Sequence, residues 1–210
     1  IERKIIMAYL KRYSSVGPQS SCVIWFTGVP GSGKTTLAEG LCTRLKKRGL
    51  RVEHLDGDKV RKVFPQTGFT KEARDEHIRR IGFMASRLEA HGVTVVASFV
   101  SPYREAREFS RRLCRNFIEV YVHAPLKVCE KRDPKGLYRK AREGKIANFT
   151  GMGDPYEPPS KPHLKIDTSK VPVDRAVDGS LEHELGRNIV AGPQEVVSEH
   201  DGVGDEYAED

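Results

Sequence analysis

Long hydrophobic runs are missing from this 210-residue sequence. No stretch reaches the roughly eighteen consecutive apolar residues that a membrane-spanning helix needs, and no apolar signal peptide opens the chain. We therefore expect a soluble, cytoplasmic protein with no membrane partner. The chain begins with Ile1 rather than Met, which leaves open whether it is part of a longer protein.

Cysteine is also scarce, and the four cysteines form no C-x-x-C pair. They lie far apart in the sequence, and Cys22, Cys42 and Cys129 fall inside apolar segments, whereas Cys114 does not. Metal sites and disulfide frameworks are recognised by closely patterned cysteines, which this chain does not have. We therefore expect free, mostly buried thiols, as is usual in a reducing cytoplasm.

A third absence is a stripe of basic residues interleaved with aromatic ones, a pattern that would favour nucleic-acid binding. The chain carries a net charge of +7, but residues 178–210 contain ten acidic residues against Arg187 alone, a net charge of −9. Residues 1–177 therefore carry +16. Because the basic residues gather around the motifs described below, we expect small anionic ligands rather than nucleic acid.

Apolar runs alternate with segments of helical period along the chain. The runs that predict strands are Cys22–Thr27, Arg51–Asp56, Val93–Val100, Phe117–His123 and Leu164–Ser169. Between them, leucines at four-residue spacing mark a helix that Gly49 ends, and Thr70 is the predicted N-cap of another. This alternation predicts an α/β fold with a mostly parallel central sheet of about five strands, covered by helices on both faces.

Directly after the first predicted strand, residues 28–35 read GVPGSGKT and match the phosphate-binding pattern G-x-x-x-x-G-K-[ST]. Glycines let successive backbone N–H groups point at a phosphate, and the following helix adds the positive end of its dipole. Lys34 should reach the β- and γ-phosphates, and the Thr35 hydroxyl should coordinate Mg²⁺. The predicted ATP-binding residues are Gly28, Gly31, Ser32, Gly33, Lys34, Thr35 and Thr36.

The phosphate-binding loop, or P-loop, makes the predicted fold a three-layer sandwich of the P-loop NTPase type. By composition the chain divides into a basic leader or linker at residues 1–21, a P-loop domain at 22–177 and a polar to acidic tail at 178–210. Residues 133–161 are rich in Lys, Gly and Pro and are too long for a plain connection. Such a segment is typical of a lid or binding loop, with a disordered excursion as the alternative.

A carboxylate that could serve catalysis follows the second predicted strand rather than the third. The third strand ends in SFVSPYR, whereas the second ends in LDGD, so Asp56 and Asp58 emerge beside the P-loop in a parallel sheet. One carboxylate can hold an acceptor hydroxyl or take its proton, while the other acts on Mg²⁺ through water. The alternative is a plain turn with a helix cap. The adjacent P-loop favours catalysis, with Asp58, Asp56 and Lys34 as the catalytic residues.

The motifs downstream of the P-loop form a more specific pattern. In order they read LDGDKVR, GFTKEARDEHIRRIG, SFVSPYREAR, DPKGLY, NFTG and DPYE. This wording and spacing closely resemble the adenylylsulfate (APS) kinase family from about Val23 to Ser169. The resemblance implies ATP-dependent phosphorylation of the 3′-hydroxyl of adenosine 5′-phosphosulfate (APS) in sulfate activation, yielding 3′-phosphoadenosine 5′-phosphosulfate (PAPS) and ADP. It also implies Mg²⁺ as cofactor and a homodimer, and it leaves open a fusion to ATP sulfurylase.

The resemblance also implies an acceptor site. Phe69 and Phe149 would clamp the adenine of APS, with ordinary core phenylalanines as the alternative. Arg61 and Arg74 match family positions that hold the phosphosulfate, a task that suits the forked guanidinium, and Lys135 would belong to the lid that closes over both nucleotides. The implied APS-binding residues are Asp58, Arg61, Phe69, Arg74, His77, Val100, Ser101, Lys135 and Phe149. For the nearby Arg79, Arg80, Arg139, Lys140 and Arg142, a solvated basic surface is the alternative.

Several positions depart from the family pattern. Lys59 and His77 each replace an Asn, residues 64–68 differ from the usual approach to the aromatic clamp, and Val29-Pro30 replaces a Leu-Ser pair. Two alternatives therefore stay open at this point: a kinase for another nucleotide, sugar or metabolite hydroxyl, and a non-catalytic domain that senses nucleotide. The intact P-loop argues against the second alternative.

Overall fold

A five-stranded parallel sheet organises the computed structural model, which describes residues 21–65, 67–172 and 176. The strands are β1 Val23–Thr27, β2 Val52–Asp56, β3 Thr94–Ser98, β4 Phe117–His123 and β5 Leu164–Asp167. Their order across the sheet is β2-β3-β1-β4-β5, and every neighbouring pair is parallel. The predicted five-stranded sheet is confirmed, and it is parallel throughout. The observed strands are up to three residues shorter than the predicted apolar runs.

Six helices connect or flank these strands within the described ranges. They are α1 Lys34–Lys47, α2 Gly57–Val63, α3 Lys71–Ala90, α4 Arg104–Leu113, α5 Leu126–Arg132 and α6 Leu137–Arg142. The predicted cap of α3 is confirmed, because the Thr70 side chain accepts a hydrogen bond from the Ala73 N–H. Gly49 ends α1 with a φ of 79°, as predicted. The sequence did not predict α2, α5 or α6.

Both faces of the sheet are buried, which explains the continuous apolar character of its strands. Successive side chains of β1 point to opposite faces. Ile24 packs in a cluster with Leu41 of α1, whereas Trp25 packs in a second cluster with Ile78 and Ile81 of α3. The three-layer arrangement predicted from the sequence is therefore confirmed.

The position of β1 between β3 and β4 determines where the site lies. In an open parallel sheet, ligands bind outside the carboxyl ends of the strands, where neighbouring connections leave in opposite directions. The P-loop follows β1, α2 follows β2, and the segment that contains Ser101 follows β3. The motifs identified in the sequence thus meet at one edge of the sheet.

The four cysteines are free, and Cys22, Cys42 and Cys129 are buried, as predicted. Across the part of the chain that the structure describes, no helix is both long and apolar enough to cross a membrane. The predicted leader at residues 1–21 and tail at 178–210 lie outside the described residues, apart from Ser21.

Candidate active site

The P-loop connects β1 to α1 and wraps around the N-terminal end of that helix. A Cβ atom at Gly28 would collide with the carbonyl of Val122 on β4, so only glycine fits there. Gly33 has a φ of 95° immediately before the first residue of α1, a conformation that side-chain-bearing residues rarely adopt. These two glycines let the chain turn from a buried strand directly into a helix whose N–H groups can receive a phosphate.

Lys34 is buried against the loop that contains it. Its Nζ donates to the carbonyls of Gly28 and Val29, both at 2.9 Å. Burial lowers the pKa of Lys34 to about 7. Among the residues that the structure describes, no carboxylate pairs with this ammonium group, and a phosphate group would provide an anionic partner, so the side chain is arranged for an anion at this position.

Asp56, at the carboxyl end of β2, lies beside the P-loop helix. The hydroxyls of Thr35 and Ser98 both donate to its Oδ2 at 3.0 Å, and the backbone N–H groups of Asp58 and Lys59 donate to its Oδ1. Burial alone would raise the pKa of Asp56, but these donors hold it below its usual value. Asp56 is therefore an anionic side chain within reach of Thr35. Asp56 also caps α2, so the helix cap considered as an alternative is present. A carboxylate that caps a helix can still take part in catalysis.

Asp58 occupies the first turn of α2 and faces the lid. Its carboxylate forms an ion pair with Lys135, which lies between α5 and α6. The two side chains are about half exposed, at 56% and 53%. The structure thus brings together a carboxylate and a lid cation that are separated by 77 residues in sequence.

The exposed Phe69 and the partly buried Arg61 lie together on the acceptor side. The Phe69 side chain is 60% exposed. The guanidinium of Arg61 lies 4.6 Å from the centre of the Phe69 ring and donates to the carbonyl of Thr67 at 3.0 Å. Arg61 therefore holds the segment before Phe69 in place and leaves one face of the ring available for a stacking partner.

Arg74, near the start of α3, is buried and bound to protein groups. Its guanidinium donates to the carbonyls of Phe69 and Asn148 and to the hydroxyl of Thr150. It also forms an ion pair with Asp154 at 3.0 Å. These contacts join the Phe69 segment to the lid segment around Phe149.

Phe149 lies in a loop, as predicted, but its ring is only 8% exposed. It belongs to a small hydrophobic cluster with Ala124, Cys129 and Tyr138. Next to this cluster is a cavity of about 540 Å³, lined by Val29, by residues 121–124 at the end of β4 and by lid residues 151–156. Phe149 thus supports the wall of a cavity between the P-loop and the lid.

His77 and Ser101 are buried at the inner end of the acceptor side. The Nε2 atom of His77 has no hydrogen-bond partner among the described residues, and its ring stands edge-on to Phe99 at 6.0 Å. Burial, together with the charge of Arg61, lowers the pKa of His77 to about 4, so the ring is neutral at pH 7. Ser101 has a φ of 38°, and its hydroxyl accepts from the indole of Trp25 at 3.1 Å.

The remaining predicted positions vary in exposure. Val100 is partly buried, and its carbonyl accepts from the Thr27 hydroxyl at 2.9 Å. Arg79 and Arg80 are exposed and pair with Glu105 and Glu76, as the solvated-surface alternative predicts. The basic residues of α6 named above, Arg139, Lys140 and Arg142, are exposed as well.

Sequence reasoning missed three residues that organise this site. Tyr138 donates to the P-loop carbonyl of Pro30, and Tyr103 donates to Asp154, the acidic partner of Arg74. Tyr138 belongs to the DPKGLY motif and Asp154 to the DPYE motif. These motifs therefore point to both residues, although the sequence alone does not assign them a function. Tyr103 belongs to SFVSPYR, where it precedes α4.

Comparison with known proteins identifies close relatives. A family model described as Adenylylsulphate kinase matches residues 20–167. The chain is 53% identical over 168 residues to an adenylyl-sulfate kinase of Synechococcus sp. (strain JA-2-3B'a(2-13)), covering 80% of this chain and 96% of that protein. It is 47% identical over 181 residues to an adenylyl-sulfate kinase of Halothermothrix orenii, covering 86% and 98%.

A solved structure agrees with these sequence matches. It is the Mycobacterium tuberculosis APS kinase CysC in complex with AMPPNP and APS, which superimposes with a TM-score of 0.74 at 35% sequence identity. The match covers 77% of this chain and 96% of that one.

Proposed function

The chain belongs to the adenylylsulphate kinase family, and from that membership we propose that it transfers the γ-phosphoryl group of ATP to the 3′-hydroxyl of APS. The products are PAPS and ADP. One structural observation supports the proposal: Asp56, the last residue of β2, bonds to Thr35 of the P-loop, while Asp58, in the first turn of α2, pairs with the lid residue Lys135.

The donor side binds and orients ATP. The N–H groups at the start of α1 bind the phosphates, and Lys34 exchanges its contacts with the Gly28 and Val29 carbonyls for the β- and γ-phosphates. Fixed donors of this kind stabilise the transferring group because they need no reorganisation during the reaction.

Thr35 and Asp56 would hold Mg²⁺, Asp56 through a water molecule. Their oxygen atoms fit this ion, because Mg²⁺ prefers oxygen ligands and retains several waters. The Thr35 hydroxyl and the Asp56 carboxylate already lie 3.0 Å apart. When bound, the ion neutralises negative charge on the β- and γ-phosphates.

The acceptor side binds APS. Phe69 stacks on the adenine, while Arg61 and Lys135 face the phosphosulfate. Asp58 orients the 3′-hydroxyl and accepts its proton as the oxygen attacks the γ-phosphorus. Lys135 pairs with the Asp58 carboxylate and so connects it to the lid.

The other predicted APS-site residues are part of the proposal as well, with Arg74 at the phosphosulfate and Phe149 at the adenine, as the family resemblance implies. Arg74 ties the segment before α3 to the lid, and Phe149 packs behind the cavity wall. The Nε2 atom of His77 has no hydrogen-bond partner among the described residues. The Ser101 hydroxyl bonds to Trp25 and so holds the chain beyond β3, next to Val100. From the family resemblance we also propose that the protein forms a homodimer and is cytoplasmic. The same resemblance implies an association or fusion with ATP sulfurylase.

The proposal is tested by incubating the purified protein with Mg-ATP and APS. We expect ADP to form only when APS is present, and we expect ³¹P NMR to place the new phosphate on the 3′-oxygen. No ADP formation above an APS-free control would refute the proposed activity. A panel of other nucleotides and sugars addresses the departures at Lys59 and His77, since faster turnover of another acceptor would overturn the substrate assignment.

A further inference from the structure

Three polar side chains of β2 and β3 lie together beside the donor site. Asp56 and Ser98 are opposite each other in these neighbouring strands, and His54 precedes Asp56 by two residues on β2. Because side chains alternate along a strand, His54 and Asp56 point to the same face of the sheet. Leu55, between them, packs on the other face with residues of α3. The three polar side chains therefore share the face that α1 covers, from which Thr35 reaches Asp56.

The direction of each hydrogen bond follows from the number of protons available. The Ser98 Oγ atom lies 3.0 Å from the Nε2 atom of His54, and it donates to Asp56 Oδ2 at 3.0 Å. An ionised carboxylate can only accept, so the single proton of the Ser98 hydroxyl is used at Asp56. The His54 ring must therefore donate to Ser98, which means that its Nε2 atom carries a hydrogen. The hydrogen bonds run in one direction, from His54 through Ser98 to Asp56.

This series of hydrogen bonds fixes the Asp56 carboxylate next to Thr35. Its Oδ2 atom accepts from Ser98 and from Thr35, both at 3.0 Å, while two backbone N–H groups of α2 donate to Oδ1. Asp56 and Ser98 are 4% and 3% exposed, so these bonds form away from bulk water. Hydrogen bonds in series polarise one another, so the donor at His54 strengthens the bond from Ser98 to Asp56.

We propose that His54 and Ser98 are positioning residues that orient the Asp56 carboxylate for the Mg²⁺ that accompanies the donor nucleotide. His54 makes the Ser98 hydroxyl a donor to Oδ2, and Ser98 keeps the carboxylate beside Thr35. Removing a group that orients the ligands of a metal typically lowers the affinity for that metal by about 10- to 100-fold. The inference rests on the proposed function, because it takes Thr35 and Asp56 as the residues that hold Mg²⁺.

A purely structural role makes a different prediction. If His54 and Ser98 only pack between the sheet and α1, their loss will lower the stability of the protein and leave the contribution of Mg²⁺ unchanged. The two roles are separated by the ratio of two dissociation constants for ADP, one measured in EDTA and one in saturating Mg²⁺. ADP has no γ-phosphoryl group to transfer, so this ratio is measured without turnover.

Calorimetric titration of ADP gives the ratio for the wild type, Ser98→Ala and His54→Leu. We expect Mg²⁺ to tighten ADP binding about 30-fold in the wild type, within the usual range for coupled ligands. Ser98→Ala should reduce the ratio about tenfold, because Asp56 loses a donor. His54→Leu should reduce it about threefold, because the first hydrogen bond of the series is lost. In EDTA, the affinity for ADP should stay within about twofold in each variant, since the series acts only through the cation.

A double substitution tests whether His54 acts through Ser98. In the Ser98→Ala protein, His54→Leu should cause no further reduction of the ratio, because the hydroxyl that connects His54 to Asp56 is absent. Independent effects would instead multiply and bring the ratio to about one.

Two further variants serve as controls. Ser86→Ala removes another buried serine hydroxyl, which donates to the backbone carbonyl of Phe83 on α3, and it should retain the wild-type ratio. His54→Gln keeps an N–H group that can donate to Ser98, and it should retain about half of the wild-type ratio or more. Urea unfolding of every variant measures the accompanying change in stability.

Several outcomes would overturn the inference. Unchanged ratios in Ser98→Ala and His54→Leu would remove the positioning role and leave the proposed kinase activity unaffected. A full effect of His54→Leu in the Ser98→Ala protein would show that His54 acts by another route. Equal reductions in Ser86→Ala and Ser98→Ala would identify lost stability as the cause.

The proposed function fails by a separate result. A wild-type ratio of one would contradict both the assignment of Mg²⁺ to Thr35 and Asp56 and the inference that rests on it. A wild-type protein with the expected ratio that forms no ADP from Mg-ATP and APS would contradict the proposed activity alone.

Discussion

The donor and acceptor halves of the site differ in how their side chains are held. On the donor side, Lys34, Thr35 and Asp56 all form hydrogen bonds within the protein. On the acceptor side, Phe69 is 60% exposed and the Nε2 atom of His77 has no partner among the described residues. The donor side chains named here are therefore held in place by protein groups, whereas on the acceptor side Arg74 is held in this way and Phe69 and His77 are not.

The sequence-based expectations divide less sharply. The phosphate-binding glycines, Lys34 and Thr35 match the P-loop pattern, although Val29-Pro30 within that loop is an expected departure from the family, whereas Lys59, His77 and residues 64–68 are the expected departures on the acceptor side. Donor-side substitutions should therefore reduce catalysis with little dependence on the acceptor. Acceptor-side substitutions should change mainly the affinity for APS.

The largest effect is expected for Lys34→Ala. Loss of the ammonium group removes stabilisation of the transferring phosphoryl group, and kcat should fall about 1,000-fold. Steady-state kinetics with APS measures the change. Lys47→Ala, at the exposed end of the same helix, is the control and should behave as the wild type. Unchanged turnover in Lys34→Ala would show that this ammonium group does not stabilise the transferring phosphoryl group.

Asp58→Asn should lower kcat about 100-fold, since an amide cannot accept the proton of the 3′-hydroxyl. The affinity for Mg-ADP should stay within about twofold, because Asp58 lies on the acceptor side of the carboxylate pair. Single-turnover kinetics and nucleotide titration separate the two quantities. Glu53→Gln, which removes an exposed carboxylate from β2, serves as the control. A kcat within threefold of wild type would assign the base to another group.

Phe69→Ala should raise the KM for APS about tenfold, in the range found for loss of one base-stacking aromatic residue. Its effect on kcat and on the melting temperature should be small, because the ring is largely exposed. Phe83→Ala is the matched control, because Phe83 on α3 is exposed to a similar extent, at 58%. Equal KM values in the two variants would place the adenine elsewhere.

The smallest effect concerns pH and His77. Burial lowers the pKa of His77 from 6.5 to about 4, so between these values the unfolded chain binds a proton that the folded protein does not. Stability should therefore fall as the pH drops through this window, by about 1 kcal/mol between pH 7 and 5.5.

The substitution His77→Asn should remove this loss of stability at low pH. Urea unfolding at the two pH values measures it, with His91→Asn at the exposed end of α3 as the control. The same pH dependence in wild type and His77→Asn would show that the buried imidazole is not its source.

The sequence predicted the sheet well because a parallel sheet buried on both faces requires continuous apolar strands. It did not predict α2, because this helix of seven residues is too short to show a hydrophobic period and its cap at Asp56 indicates a turn equally well. It did not predict α5 or α6 either, since helices of seven and six residues are too short to show a helical hydrophobic period.

The site was predicted less completely than the fold. The P-loop is a local motif, so its residues could be identified from their order alone. Arg74 is different, because its partners Thr150 and Asn148 lie 76 and 74 residues away. Phe149 has polar neighbours in the sequence that indicate a loop, yet its ring is buried by Tyr138 through tertiary packing. Contacts of this kind leave no short-range pattern to detect.

The central claim is that donor and acceptor meet at the carboxylate pair after β2. A crystal structure with Mg²⁺, a non-hydrolysable ATP analogue and APS tests it most directly. The account predicts the Asp58 carboxylate within about 3.2 Å of the 3′-hydroxyl, and Asp56 beside the metal with Thr35. A structure in which Asp58 points away from APS, and another group contacts the 3′-hydroxyl, would contradict it.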